Sequence, residues 1–318
     1  RSGEVWFEGE GEAVQVGVKV NAVGTGRITP QQVTAFWPVH LGQGAREWVH
    51  DRIPQGTATK AVFSVNWPPG ITSKGYLPDE NLALEFTVQD ATVKFLEDFP
   101  PVTGVSGVGH LKGNSLVIDV SGGKLGNWTV DDGKIVLPKF EPPGAMMDVQ
   151  VSGRGGLTEL MTVLDKSDLH VGQRYGLMVD QMTGTGSIDV HIQREMGDAK
   201  NDKLLYTVTG GFVSAAVPDL VGDFGLKDAN VNFQLNEKGI AMNGGGDFGP
   251  APVTFEWKEG QNGAEIESEL IAKARANATR CRSPPESCGT TIGCWVGSRG
   301  RYVWSGWSGG CRAWRKTM

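Results

Sequence analysis

The chain has 318 residues, 39% of them hydrophobic, and 46 glycines, about one residue in seven. No G-X-Y period runs through it, which excludes collagen, while 12 Phe, 10 Trp and many Val and Ile exclude a wholly disordered chain. A formal net charge of −6 and an isoelectric point near 5.5 remove the electrostatic basis for wrapping nucleic acid.

The first element is an alternating run, Val14, Val16, Val18 and Val20, separated by Gln15, Gly17 and Lys19. Such a period of two gives a strand one oily and one wet face. Thr29-Pro30-Gln31-Gln32 is a capping box with Pro at the first helical position, opening a short helix that stops before Pro38. A second helix is predicted around Ala45 to Ile53. Alternation returns in Ala61/Phe63/Val65/Trp67, Leu82/Leu84/Phe86/Val88 and Leu116/Ile118/Val120. Leu157, Leu160, Met161 and Leu164 then stand at i, i+3, i+4 and i+7, a third helix broken before Gly172. Three further strands follow at Ile188/Val190/Ile192, Val231/Phe233/Leu235 and Val253/Phe255/Trp257. The stretches Gly122-Gly123, Asp131-Asp132-Gly133, Asn236-Glu237-Lys238-Gly239 and Gly244-Gly245-Gly246 read as turns between strands. A GG-x-apolar-G form occurs at Gly122–Gly126 and again at Gly245–Gly249, a hint of duplicated strand-turn-strand units.

The expected architecture is mainly β: an antiparallel meander with about three short helices. These helices cannot cover so many amphipathic strands. The apolar faces must therefore be hidden by another sheet, by closure, or by an apolar ligand. Periodicity does not choose between sheet on sheet, the commoner arrangement, and sheet around lipid.

Motifs for chemistry are missing. No G-x-G-x-x-G follows a strand, and no P-loop, H-E-x-x-H, G-x-S-x-G or EF-hand loop occurs. His40, His50, His110, His170 and His191 stand singly, so neither a metal nor a cofactor is expected. Asp131-Asp132 and Glu97-Asp98 could serve acid/base chemistry, but read as a turn and a polar strand end. Asn127-Trp128-Thr129 matches a glycosylation acceptor, a short and weak pattern. Trp37, Trp48, Trp67, Trp128 and Trp257 read as core fillers, with a place at an oil–water boundary as the other option.

The chain starts at Arg1 without a leader and reads as a piece of something longer. From Ala272 onward the composition changes: nine basic residues stand against Glu286 alone, and all four cysteines fall there. Cys281, Cys288, Cys294 and Cys311 leave six, five and sixteen intervening residues, which suits two disulfides better than zinc. Residues 272–318 are expected to be a disordered tail or the product of a shifted reading frame. Residues 1–271 form the β portion.

Several segments in order resemble the YhdP-type central domain of the AsmA-like envelope proteins of Gram-negative bacteria. They are Trp37-Pro38 through Ala45-Arg46-Glu47-Trp48, Ile53-Pro54-Gln55-Gly56, Asp90-Ala91-Thr92-Val93-Lys94-Phe95, and Phe99-Pro100-Pro101-Val102. Val105-Ser106-Gly107 into Gly113-Asn114-Ser115-Leu116, Thr158 to Leu164, and Gly239 to Trp257 complete the set. The resemblance implies an extended, curled antiparallel sheet, an open groove or half-barrel, in a periplasmic protein anchored to the inner membrane in its full-length parent. It implies a non-enzymatic segment that shields or conducts phospholipid acyl chains between inner and outer membranes. On this reading the groove is lined by Val14, Val16, Val18, Phe63, Val65, Leu82, Leu84, Phe86, Val88, Leu116, Ile118, Ile188, Val190, Val231, Phe233, Val253 and Phe255. The alternatives are a structural β-sandwich scaffold without lipid, and a carbohydrate-active β-sandwich enzyme using Asp131 and Asp132.

Overall fold

The computed structural model describes residues 2–8, 15–37, 43–69, 71, 77–167, 170–196, 204–221, 223–260, 268–275, 292–298 and 301–304. The chain divides into two units, residues 1–153 with 191–205, and residues 154–190 with 206–318. Strands β8 (Met146–Gly156) and β9 (Thr183–Glu195) are each shared between them.

In the first unit the strands are β1 (Ser2–Glu8), β2 (Gln15–Ile28), β3 (Gln55–Trp67), β4 (Leu82–Val93), β5 (Val102–Lys112), β6 (Leu116–Leu125) and β7 (Trp128–Leu137). Each is antiparallel to the one before. Helices α1 (Pro30–Phe36) and α2 (Gln43–Arg52) join β2 to β3. The capping box forms as expected: Thr29 Oγ1 accepts from Gln32 N at 3.3 Å and Gln32 Oε1 accepts from Thr29 N at 3.0 Å.

The second unit contains α3 (Leu157–Lys166) and α4 (Val171–Tyr175), then β10 (Leu204–Val221) from Tyr206 onward, β11 (Phe224–Asn236), β12 (Gly239–Phe248), β13 (Ala251–Gly260) and β14 (Ser268–Arg275). Two short strands, β15 (Ile292–Ser298) and β16 (Arg301–Trp304), complete the order. The described strands are thus an antiparallel meander, open because β1 and β16 have one strand neighbour each.

Among the described residues the α-helices number four, because α4 forms around Gly172 where no apolar period announces it. Three glycine stretches expected to be turns lie inside strands instead: Gly122-Gly123 in β6, Gly133 with Asp131 and Asp132 in β7, and Gly244 to Gly246 in β12. Interior strand glycines mark places where a neighbouring backbone or ring comes close. Asn236–Gly239 is a true hairpin turn, closed by the Asn236–Gly239 pair. Strand β14 runs through the composition break at Ala272 as far as Arg275, with Leu270, Ala272 and Ala274 opposite Trp257, Phe255 and Val253. Cys281, Cys288 and Cys311 lie outside the described residues, and so does the side chain of Cys294.

Both units bend their strands with the same device. Gly56 (φ 148°) lets β3 approach β4 so closely that a Cβ there would stand 2.9 Å from Ala91 Cβ. Gly184 (φ 133°) does the same in β9, where a Cβ would meet Ala215 Cα at 2.9 Å. Each buried alanine follows a residue with positive φ: Asp90 before Ala91, Ser214 before Ala215, and again Asp228 before Ala229. The register shifts at all three places. These are β-bulges, which kink a strand and increase its twist. The sequence form is Asp/Ser-Ala-x-Val at residues 90–93, 214–217 and 228–231.

Candidate functional site: the apolar sheet faces

Directly paired residues share a face, and so do residues two apart on one strand. In the first unit the ladder aligns Val18 with Trp67, Val65 with Leu82, Phe63 with Leu84, Ala61 with Phe86, and Leu84 with Leu111. It continues through Leu111–Leu116, Gly109–Ile118, Ile118–Ile135 and Leu116–Leu137. Val18, Phe63, Val65, Leu82, Leu84, Phe86, Val88, Leu116 and Ile118 therefore stand on one face. Val20 and Trp67, members of the same alternating runs, join them, as do Leu111, Ile135 and Leu137, which no alternating run singles out.

The opposite face is polar and tied across strands. Ser64 donates to Asn21 at 2.8 Å, Lys60 meets Glu85 at 3.4 Å, and Lys134 meets Asp119 at 3.8 Å. Further along, Ser152 donates to Asp132 at 2.6 Å and His191 Nε2 donates to Asp148 Oδ2 at 2.7 Å. Asp131 and Asp132 are neighbours on β7, so they point to opposite faces and make no facing carboxylate pair.

In the second unit the same logic places Val231, Phe233, Val253 and Phe255 on one face. The pairs Phe233–Met242, Val231–Gly244, Gly244–Phe255, Met242–Trp257 and Trp257–Leu270 carry it across β11 to β14. Ile188 belongs there too, since a Cβ at Gly210 would touch Ile188 Cγ2 at 3.0 Å and Phe233 Cζ at 3.1 Å. Val190 shares its parity on β9. Val14 lies outside the described residues, and so does the side chain of Val16.

Phenylalanines lie flat on this surface. Phe86 pairs with Gly109, Phe233 with Gly210 and Phe255 with Gly244, and each ring covers its glycine partner. Phe212 covers Gly186 in the same way, and the Phe212 and Phe233 rings stack at 6.2 Å and 12°. A ring lying on a glycine makes a low floor, where a ring beside a larger residue would stand up. Sequence alone hides this feature, because it depends on which glycine the register sets opposite which ring.

The faces are neither sealed nor bare. Every described candidate is half-buried except Leu82, which is buried. Ile71, Leu77 and Leu82, with Phe63, Val65, Trp67 and Leu111 against them, close one end of the first unit's face. Among the described residues, only eleven apolar side chains are buried, and no second sheet packs on either face. The sandwich expectation therefore fails within each unit: the strands extend one layer instead of folding back as a second. Trp48 is 49% exposed and fills no core, whereas Trp128 is buried.

Among the described residues no group of three or more His, Cys, Asp or Glu could hold a metal, and no helix is long and apolar enough to cross a membrane. The family model described as YhdP protein matches residues 18–284. The chain belongs to the YhdP family. The match takes in the described strands from Val18 of β2 through β14, and it extends past Ala272. Neither the curated proteins nor the solved structures give a match. In each unit the candidate site is a surface, the apolar sheet face.

Proposed function

We propose that this YhdP-family segment serves in the bacterial envelope by sheltering phospholipid acyl chains against its apolar faces. In this reading the segment works in the periplasm, the full-length parent supplies the inner-membrane anchor, and the segment performs no chemistry on the lipid. The observation that carries the reading is the register: apolar side chains from β2 to β7 share one face in the first unit, those from β9 to β14 share one in the second, and among the described residues no second sheet lies over either.

An acyl chain has no hydrogen-bonding groups to satisfy, so contact with Val, Leu, Ile and flat Phe surfaces suffices to hold it. Full dehydration stabilises a methylene by about 0.8 kcal/mol, and an open face delivers part of that. Because the floor is chemically uniform along the strands, successive positions have similar energy and the chain slides. Uniformity favours conduction over tight storage. Nothing in the site supplies a driving force, so direction comes from elsewhere in the assembly.

The test is native mass spectrometry and lipid extraction on the purified protein. Phospholipid recovered near stoichiometric amounts supports the reading. A lipid-free protein that also takes up none from vesicles overturns it in favour of a scaffold.

A further inference from the structure

Helices α3 and α4 and the 3-10 turn Val179–Gln181 connect β8 to β9, and they brace one another. Asp165 Oδ1 accepts from Gln173 N at 3.2 Å, Leu177 N donates to Gly172 O at 2.8 Å, and the Thr158 hydroxyl donates to the Met182 carbonyl. The end of α4 is tied far from β9. Tyr175 Oη donates to Glu259 Oε1 at 2.7 Å, and Arg174 Nη2 meets the same oxygen at 3.2 Å. The Tyr175 ring stands edge-on to Trp257 at 6.0 Å, and Arg174 lies 5.3 Å over the Tyr175 ring.

Glu259 and Trp257 are on β13, four places beyond β9 in the strand order, about 19 Å at the usual ~4.8 Å strand spacing. Their parity is that of Val253 and Phe255, so the tie lands on the apolar face. Glu259 follows three apolar residues on that face, and its side chain is 16% exposed. Such a carboxylate needs its charged and hydroxyl partners. Tyr175 is held as a donor: desolvation first, then the hydrogen bond and charge of Glu259, push its hydroxyl up to about 12, with Arg174 opposing.

We propose that α3–α4 is a strap across the apolar face of the second unit, latched at Glu259 by Tyr175 and Arg174, and that opening the latch admits an acyl chain to the face beneath. The inference rests on the lipid reading above. The strap's two polar ties converge on one carboxylate oxygen, so one side chain controls both. A chain moving onto β10 to β12 crosses the strap's path, and the latch sets how often that path is clear.

The experiment uses the full chain with Glu259→Gln and Tyr175→Phe, both close in shape to the parent. Thermal melts and circular dichroism check that each variant is folded. Hydrogen exchange is expected to quicken roughly tenfold over residues 171–182 while β10 to β12 keep their protection. Uptake of an acyl-labelled phosphatidylethanolamine from phosphatidylethanolamine–phosphatidylglycerol vesicles should quicken in both variants with unchanged final occupancy. Unaltered exchange in both variants overturns the latch. Faster exchange with an unaltered uptake rate overturns the gate. A parent protein that takes up no lipid overturns the lipid reading and the gate with it, and the exchange rates then still decide the latch.

Discussion

The ring of Phe86 lies over Gly109, its direct cross-strand partner, and the three atoms nearest to a Cβ added at 109 would all belong to that ring. Gly109→Ala therefore forces the ring to stand up or the strands to part. Overpacking of this kind costs about 1–3 kcal/mol, more than the roughly 0.5–1 kcal/mol gained by replacing a strand glycine. We expect a net loss in urea denaturation. In a Phe86→Ala background the same substitution should become neutral or stabilising, and equal losses in both backgrounds would exclude the ring as the cause.

Gly56 and Gly184 predict a matched pair of effects. Each has a backbone conformation that L side chains rarely adopt, and each faces a buried alanine at 2.9 Å. Alanine at either position adds strain and a clash, so each should lower stability by about 2 kcal/mol or more. Melting of Gly56→Ala and Gly184→Ala checks it. A large loss at one site and none at the other would show that the two bulges are not equivalent devices.

Much of this is legible in the amino-acid sequence. Val18, Phe63 and Leu84 alternate cleanly because their strands bury one face, and Thr29 to Gln32 carried its helix start in its own side chains. The inner glycines misled because a Gly-Gly pair has the same local signature in a turn and in a strand. Gly244 lies where the neighbouring backbone comes close, a Cβ there meeting Asn230 O, whereas Gly122 is marked by its own φ of 154°. Helix α4 and its tie to Glu259 could not be read at all, since the contact joins residues 84 apart and the helix is five residues long. The bulges are half visible in the sequence: Asp90-Ala91-Thr92-Val93 lies in a segment of the family resemblance, while the same form at Ser214 and Asp228 is marked only by its positive φ angles.

Asn114 is buried and joins three segments. Its side chain accepts from Phe140 N at 3.2 Å and Glu141 N at 2.8 Å and donates to Glu141 O at 2.6 Å. Its backbone N–H donates to Asp79 at 2.7 Å. Asn114→Ala leaves the Glu141 amide and carbonyl short of their partners, while Phe140 N keeps its 2.9 Å bond to the Asn114 backbone carbonyl, so a loss of about 1–3 kcal/mol is expected. Asn114→Asp keeps the acceptors but sets a carboxylate oxygen against the Glu141 carbonyl and buries a charge beside Asp79, so it should cost more than alanine. Chemical denaturation ranks the pair, and an aspartate variant more stable than the alanine variant would contradict this.

Asp148 predicts how stability responds to acid. The hydrogen bond from His191 is the largest cause holding its carboxyl below the ordinary 3.8, with Gln193 and Gln150 adding to it and burial opposing. A carboxyl whose folded pKa is depressed contributes stability that is present above its unfolded value, near 4, and is lost as pH falls through the folded value. Its side chain is 24% exposed, so the hydrogen bonds are worth about 1 kcal/mol at neutral pH. Asp148→Asn should therefore melt lower than the parent at pH 7, and the gap should shrink as the pH drops below 4. A gap that stays constant between pH 7 and pH 3 would mean that the ionised carboxylate contributes nothing to the fold.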